Sequence, residues 1–246
     1  MTTKAEFFAG IRDQMRKTSG LFPASVTTRP EHPAAEVETI RRELAERWPE
    51  TLETFRAEFE RVGGVFDRVA ALDEVPAVVA RIARECLARE LVAWHAGALG
   101  ADLVSALGAR GLAVHEMPAD ETAAVERERL RAIAARADLG LTGADLAIAE
   151  TGTLVLVSGA GRPRSTSLLP PYHIAVFDRT ALVESLRQVG VFLEAWHRDA
   201  APPGTGAVIN FITGPSRTAD IELTLTRGVH GPKEVHAIFV ERGIRG

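Results

Sequence analysis

The chain is predicted to be an α/β protein with a largely parallel sheet and an N-terminal helical extension, and three observations predict it. From Gly63 onward, short apolar runs alternate with stretches of helical period, the pattern of parallel strands joined by covering helices. The run Thr153-Leu-Val-Leu-Val-Ser158 is apolar at successive positions, as a strand buried on both faces must be. The length, 246 residues, suits one large α/β domain with an extension and a substantial core.

Taken in order, Phe7, Phe8, Ile11 and Met15 form a short apolar stripe, and the stretch 18–33, with three prolines, reads as a loop. Val37, Ile40, Leu44 and Trp48 then recur at three- and four-residue spacing, and Leu52, Phe55, Phe59 and Val62 continue beyond Pro49. That periodicity predicts two amphipathic helices broken or kinked at the proline, their aromatics serving as core. Residues 1–62 are thus expected to be a helical extension and 63–246 the α/β domain. Helices are expected over 76–90, 101–109, 121–137 and 180–189. Strands are expected over 91–94, 112–115, 173–177, 206–213 and 234–240. The runs 145–150 and 153–158, separated only by Thr151-Gly152, read as a hairpin. Residues 221–226 fit strand or helix equally.

Composition excludes several function classes. Net charge is −4, so nothing resembles the basic footprint of a nucleic-acid binder. Cys86 is the single cysteine, which rules out an intramolecular disulfide, a cysteine-ligated iron–sulfur cluster and a cysteine-rich zinc site within this chain. Its apolar surroundings suit a structural thiol better than a nucleophile. The N-terminal stretch carries Lys4, Glu6 and Arg12 and no signal-like apolar core, and no apolar run reaches membrane-span length. A soluble cytoplasmic protein is the expectation, and abundant Ala and Arg with little Lys suggest a bacterial, GC-rich origin. No dinucleotide fingerprint, Walker A sequence, nucleophile elbow or H-x-x-x-H pair is present. No metal site is expected; His173, His230 and an acid form the best alternative.

Three polar clusters remain. Glu150-Thr-Gly152 lies at the hairpin tip, where a carboxylate can act as nucleophile or general base or can be a solvated turn residue. Gly159-Ala-Gly-Arg-Pro-Arg-Ser-Thr-Ser167 offers Arg162 and Arg164 to an anion, and reads equally as an exposed basic loop. In Asn210-Phe-Ile-Thr-Gly-Pro-Ser-Arg-Thr-Ala-Asp-Ile-Glu222, an apolar run meets the breaker Gly214-Pro215 and then Ser216, Arg217, Thr218 and Asp220. Hydroxyls, a guanidinium and free amides suit a carboxylate or phosphate, although a helix cap uses the same residue types. Gly228-Val-His-Gly-Pro232 adds His230 close behind.

At these clusters the chain resembles the LUD domain family, and within it the lactate-utilisation protein C group. The resemblance rests on the stretch from Gly143 to Thr153, on Thr213-Gly-Pro-Ser-Arg-Thr-Ala-Asp-Ile-Glu222 and on Gly228-Val-His-Gly-Pro232. It implies a three-layer Rossmann-like fold similar to the sugar-phosphate isomerase and CoA-transferase class. It implies a non-redox role in oxidising L-lactate to pyruvate, beside A- and B-type partners that carry the iron–sulfur clusters, with no cofactor in this chain. Ferredoxin-like cysteine motifs of the B type are absent. Glu150 stands where CoA-transferase relatives carry a catalytic glutamate, an analogy of fold alone. The alternative is a free-standing enzyme acting through Glu150 on an anionic small molecule, such as a CoA thioester, a sugar phosphate or a folate-like compound. No membrane or nucleic-acid partner is expected.

Overall fold

The computed structural model describes residues 3–17, 30–119, 124–200, 205–219 and 225–244. Its helices are α1 (Lys4–Lys17), α2 (Pro33–Arg61), α3 (Val75–Glu85), α4 (Ala96–Leu99), α5 (Leu103–Gly108), α6 (Ala124–Arg136), α7 (Ser165–Leu168) and α8 (Leu186–Ala195). Its strands are β1 (Val65–Val69), β2 (Glu90–Ala93), β3 (Ala113–Glu116), β4 (Leu139–Gly143), β5 (Leu146–Ile148), β6 (Thr153–Gly159), β7 (Tyr172–Asp178), β8 (Leu182–Val183), β9 (Thr205–Ile212), β10 (Arg217–Ala219), β11 (Leu225–Arg227) and β12 (Glu234–Val240).

Six strands form one sheet in the order β1-β12-β7-β4-β2-β3, every neighbouring pair parallel. A parallel sheet must be covered on both sides, and β2 shows how the sequence meets that demand. Leu91 and Ala93 face a core shared with Val79 and Ile82 of α3 and Leu103 and Leu107 of α5. Val92, pointing the other way, packs with Ala134 of α6 and with Ala137 and Met117. The expected α/β layering is therefore present. A smaller sheet, β8-β5-β6-β9, packs its Leu146, Ile148 and Val155 against Val37 of α2 and Val189 and Phe192 of α8. The expected hairpin is there, with Leu146 to Ile148 antiparallel to Thr153 to Val155.

Two expectations are corrected. The residues around Pro49 form one continuous 29-residue helix, not two. A proline removes one helical hydrogen bond, at about 3 kcal/mol in an exposed helix. Here Leu44 on one side and Leu52, Phe55 and Phe59 on the other are buried, and that packing holds the helix through the defect. Phe55 stacks on Phe59 (5.4 Å between centroids) and meets Phe177 of β7 edge-on (5.2 Å). The second half of α2 is therefore integral to the main core. The helix expected at 180–189 begins only at Leu186. Asp178 accepts from the Thr180 amide at 2.8 Å and turns the chain, Leu182-Val183 pairs with β5, and Ser185 caps α8.

The pattern also omits two strands of the six-stranded sheet. In β4, the central strand Leu139-Gly-Leu-Thr-Gly143 hides behind its glycines. Gly140 is required, because a Cβ there would fall 1.8 Å from the Thr166 carbonyl oxygen. Strand β1 is short and half exposed, with a mixed sequence.

Candidate functional site

The first and third polar clusters meet at the C-terminal end of α2. Gly152 closes the hairpin in the left-handed conformation (φ 58°) and lies so close to α2 that a Cβ would stand 2.3 Å from the Phe59 amide nitrogen. A chain of hydroxyls crosses to the third cluster: Thr151 Oγ1 donates to Thr153 Oγ1 at 2.8 Å, and Thr153 Oγ1 bonds Thr213 Oγ1 at 2.8 Å. The guanidinium of exposed Arg217 lies against Gly63, just past α2.

Ser216 joins the two halves of this cluster. Its amide donates to the Pro232 carbonyl (2.8 Å), its carbonyl accepts from the Gly228 amide (3.1 Å), and its Oγ accepts from the His230 amide (3.3 Å). It thus binds the glycine–histidine loop to the segment after β9. His230 is exposed. Thr218 lies in β10, a strand where a helix start was the alternative, and Asp220 lies outside the described residues. Glu150 is exposed, and its Oε2 accepts from the Leu186 amide at 3.3 Å, so the carboxylate sits at the N-terminus of α8.

The second cluster lies elsewhere. The stretch after β6 crosses the carboxyl ends of the parallel strands, where the His95 amide, just past β2, donates to the Gly161 carbonyl at 2.9 Å. Arg162 is buried, paired with buried Asp145, and its guanidinium sits 4.6 Å from the centre of the Trp94 ring. It holds the loop in place and is not free to meet a ligand. Arg164, exposed, lines a cleft of about 790 Å³ together with Arg127 and Arg131 of α6. Those two arginines were missed from sequence, because Glu126-Arg-Glu-Arg-Leu-Arg131 reads as the solvated face of a charged helix. Their four-residue spacing, which places both on one face, was the available signal.

Two histidines, His173 and His236, are buried. His173 is fully buried and bonds Thr142 Oγ1 through Nε2 at 2.9 Å. Burial, with a smaller contribution from His236, lowers its pKa to about 3, so it stays neutral. It is sealed from any site shared with exposed His230. Near the start of β12, ligating atoms of Cys86, Glu234 and His236 lie within 4.8 Å of one another, the one group of its kind among the described residues able to hold a metal ion. Burial, and then the Glu234 charge, raise the pKa of the Cys86 thiol, and His236 Nε2 bonds Glu234 Oε1 at 2.7 Å. His236 Nδ1 is buried without a hydrogen-bond partner among the described residues.

Comparison with known proteins agrees with this architecture. A crystal structure of a DUF162 family protein from Deinococcus radiodurans superposes with a TM-score of 0.51 at 23% identity, covering 78% of this chain and 97% of that one. This likeness concerns the fold. Lactate utilization protein C from Halalkalibacterium halodurans is 48% identical over 118 residues, which is 47% of this chain and 50% of the relative. The protein of the same name from an Exiguobacterium species is 44% identical over 113 residues, 46% of this chain and 48% of the relative. The matched segment thus spans about half the length of these relatives. Their name agrees with the group suggested by the sequence motifs. Among the described residues no helix is long and apolar enough to cross a membrane. The family model of the LUD domain matches residues 52–240, from the second half of α2 to the last residue of β12, and the chain belongs to the LUD domain family.

Proposed function

We propose that this chain is the non-redox subunit of a lactate-utilisation system, supporting oxidation of L-lactate to pyruvate beside A- and B-type iron–sulfur proteins in the cytoplasm. The observation that carries the reading is the 41–48% identity of a segment of this chain to several proteins named lactate utilization protein C. The single cysteine supports the division of labour, because clusters of the ferredoxin kind need four cysteine ligands. The convergence of Thr151, Thr153, Thr213, Ser216 and Arg217 at the end of α2 supports a carboxylate-binding role there. Glu150, on the same hairpin, is proposed as the general base.

The test is growth on L-lactate of a bacterium whose own protein C gene is deleted and replaced by this one, with turnover by the three purified proteins measured in parallel. Growth and turnover that depend on this chain are expected, and the chain purified alone is expected to be colourless and free of iron. Turnover by the two partners without this chain, or stoichiometric iron or a flavin spectrum in this chain alone, overturns the reading. An Arg217→Ala chain is expected to bind an anionic ligand ten- to a hundredfold more weakly, the worth of one charge-assisted contact.

A further inference from the structure

The cleft between α6 and α7 lies at the other edge of the main sheet from Ser216 and Arg217. Met117 and Pro118, which line it, follow the carboxyl end of β3, and Gly159 to Gly161 form its rim beside His95. Ser216 and Arg217, by contrast, contact Pro232 and Gly63, which precede the amino ends of β12 and β1. After β1 at the far edge, the chain passes to β2, steps to β3 on one side, then returns to β4 on the other and continues through β7 and β12. The direction therefore reverses between β2 and β4. Open α/β sheets place ligands outside the carboxyl ends of the strands at such a reversal.

The chemistry of the walls narrows the ligand. Arg127 and Arg131 stand one turn apart on α6, about 5–6 Å between Cβ atoms, and Arg164 contributes to the same cleft from the start of α7. Among the described residues these three form no ion pair, whereas Arg129 on the same helix is held by Glu126 at 2.6 Å. Like charges a turn apart repel, so three guanidiniums around one cleft suit a ligand carrying more than one negative charge. Amides of Ala160 and Gly161 donate to no protein acceptor among the described residues and lie at the rim. Ser165 and the apolar Met117, Pro118, Leu130, Pro163, Leu168 and Leu169 complete the lining. The volume, about 790 Å³, falls in the range of roughly 300–1,000 Å³ that encloses cofactor-sized ligands. A three-carbon hydroxy acid would fill a small corner of it.

We propose that this cleft binds a nucleoside diphosphate or a close relative, its linked phosphates gripped by Arg127, Arg131 and Arg164 and its flat base resting on the leucine and methionine wall. The site is separate from the lactate chemistry proposed above and makes the protein responsive to a nucleotide.

The test is calorimetric titration of the full chain with ADP, pyrophosphate, adenosine and L-lactate at low salt. ADP is expected to bind at least tenfold more tightly than pyrophosphate, adenosine or L-lactate. Arg131→Ala and Arg164→Ala are each expected to weaken ADP tenfold or more with melting temperature unchanged. Arg136→Ala, on the same helix but outside the cleft, is expected to leave ADP binding as it was. Absence of ADP binding up to ~1 mM ADP overturns the proposal. So does pyrophosphate or L-lactate binding as tightly as ADP, or an Arg136→Ala effect equal to that of Arg131→Ala. None of these titrations requires lactate turnover, so failure here and failure of the lactate reading are separate results.

Discussion

Asp145 and Arg162 form a buried ion pair that ties the start of the β5–β6 hairpin to the loop over the carboxyl ends of the main sheet. Asp145 Oδ2 also accepts from the Val157 amide at 2.7 Å, and Arg162 rests on Trp94, whose Nε1 donates to the Pro163 carbonyl at 3.3 Å. One carboxylate thus positions both the hairpin that carries Glu150 and the segment that carries Arg164.

Asp145→Ala leaves a guanidinium buried without its counter-charge. Breaking a buried pair from one side costs about 3–5 kcal/mol. Urea unfolding is expected to show a loss of that size, and any ligand affinity that depends on Arg164 is expected to fall with it. A loss below about 1 kcal/mol, the worth of a surface pair, would show that water reaches the pair.

Two glycine substitutions separate close approach from helix propensity. Gly140→Ala forces a Cβ to 1.8 Å from the Thr166 carbonyl, backbone against backbone in the central strand. A loss of at least about 3 kcal/mol, or failure to fold, is expected. Gly190, inside α8, has nothing within 4 Å of its would-be Cβ, so Gly190→Ala is expected to stabilise by about 0.5–1 kcal/mol. Differential scanning calorimetry of the two variants distinguishes the effects.

Glu150→Gln tests the hairpin carboxylate, keeping size and hydrogen-bonding capacity while removing charge. Under the proposed role it abolishes lactate-dependent turnover of the reconstituted system while fold and partner binding persist. Near-normal turnover with a loss of about 0.3–1 kcal/mol, the worth of an anion at a helix N-terminus, would leave Glu150 as the partner of the Leu186 amide and nothing more.

Acid stability reports on His173. Its folded pKa of about 3 lies below the ordinary 6.5, so between those values the unfolded chain binds a proton that the folded chain does not. Stability from this group is complete above about pH 6.5 and declines as pH falls, by at most about 1.4 kcal/mol per unit, until about pH 3. His236, also lowered by burial, adds in the same direction. The urea midpoint is expected to fall between pH 7 and 4.5, and to fall less in His173→Gln. An identical pH dependence in that variant would assign the acid sensitivity to other groups.

Much of this molecule is legible in the linear order of its residues. Alternating apolar runs and helical periods specify an α/β sheet because strand and helix bury side chains with periods of 2 and 3.6, independent of what they pack against. The strand at 234–240, apolar from Val235 onward, coincides with β12, and the two short polar turns flanking 153–158 frame β6. The three motifs also suffice to place the chain in its family. Tertiary structure decided what local pattern leaves open. Pro49 sits inside one helix because apolar packing on both of its sides outweighs one lost hydrogen bond. A glycine-rich pentapeptide becomes the central strand because α7 must approach it closely at Gly140. The polar clusters look alike in sequence, yet folding sends Ser216 and Arg217 to one edge of the sheet and Arg164 to the other, and consumes Arg162 in an ion pair. Arg127 and Arg131 became candidate ligand contacts only when folding placed α6 across a cleft from Arg164, because a charge on a helix gains a role from what faces it, and that is a property of long-range packing.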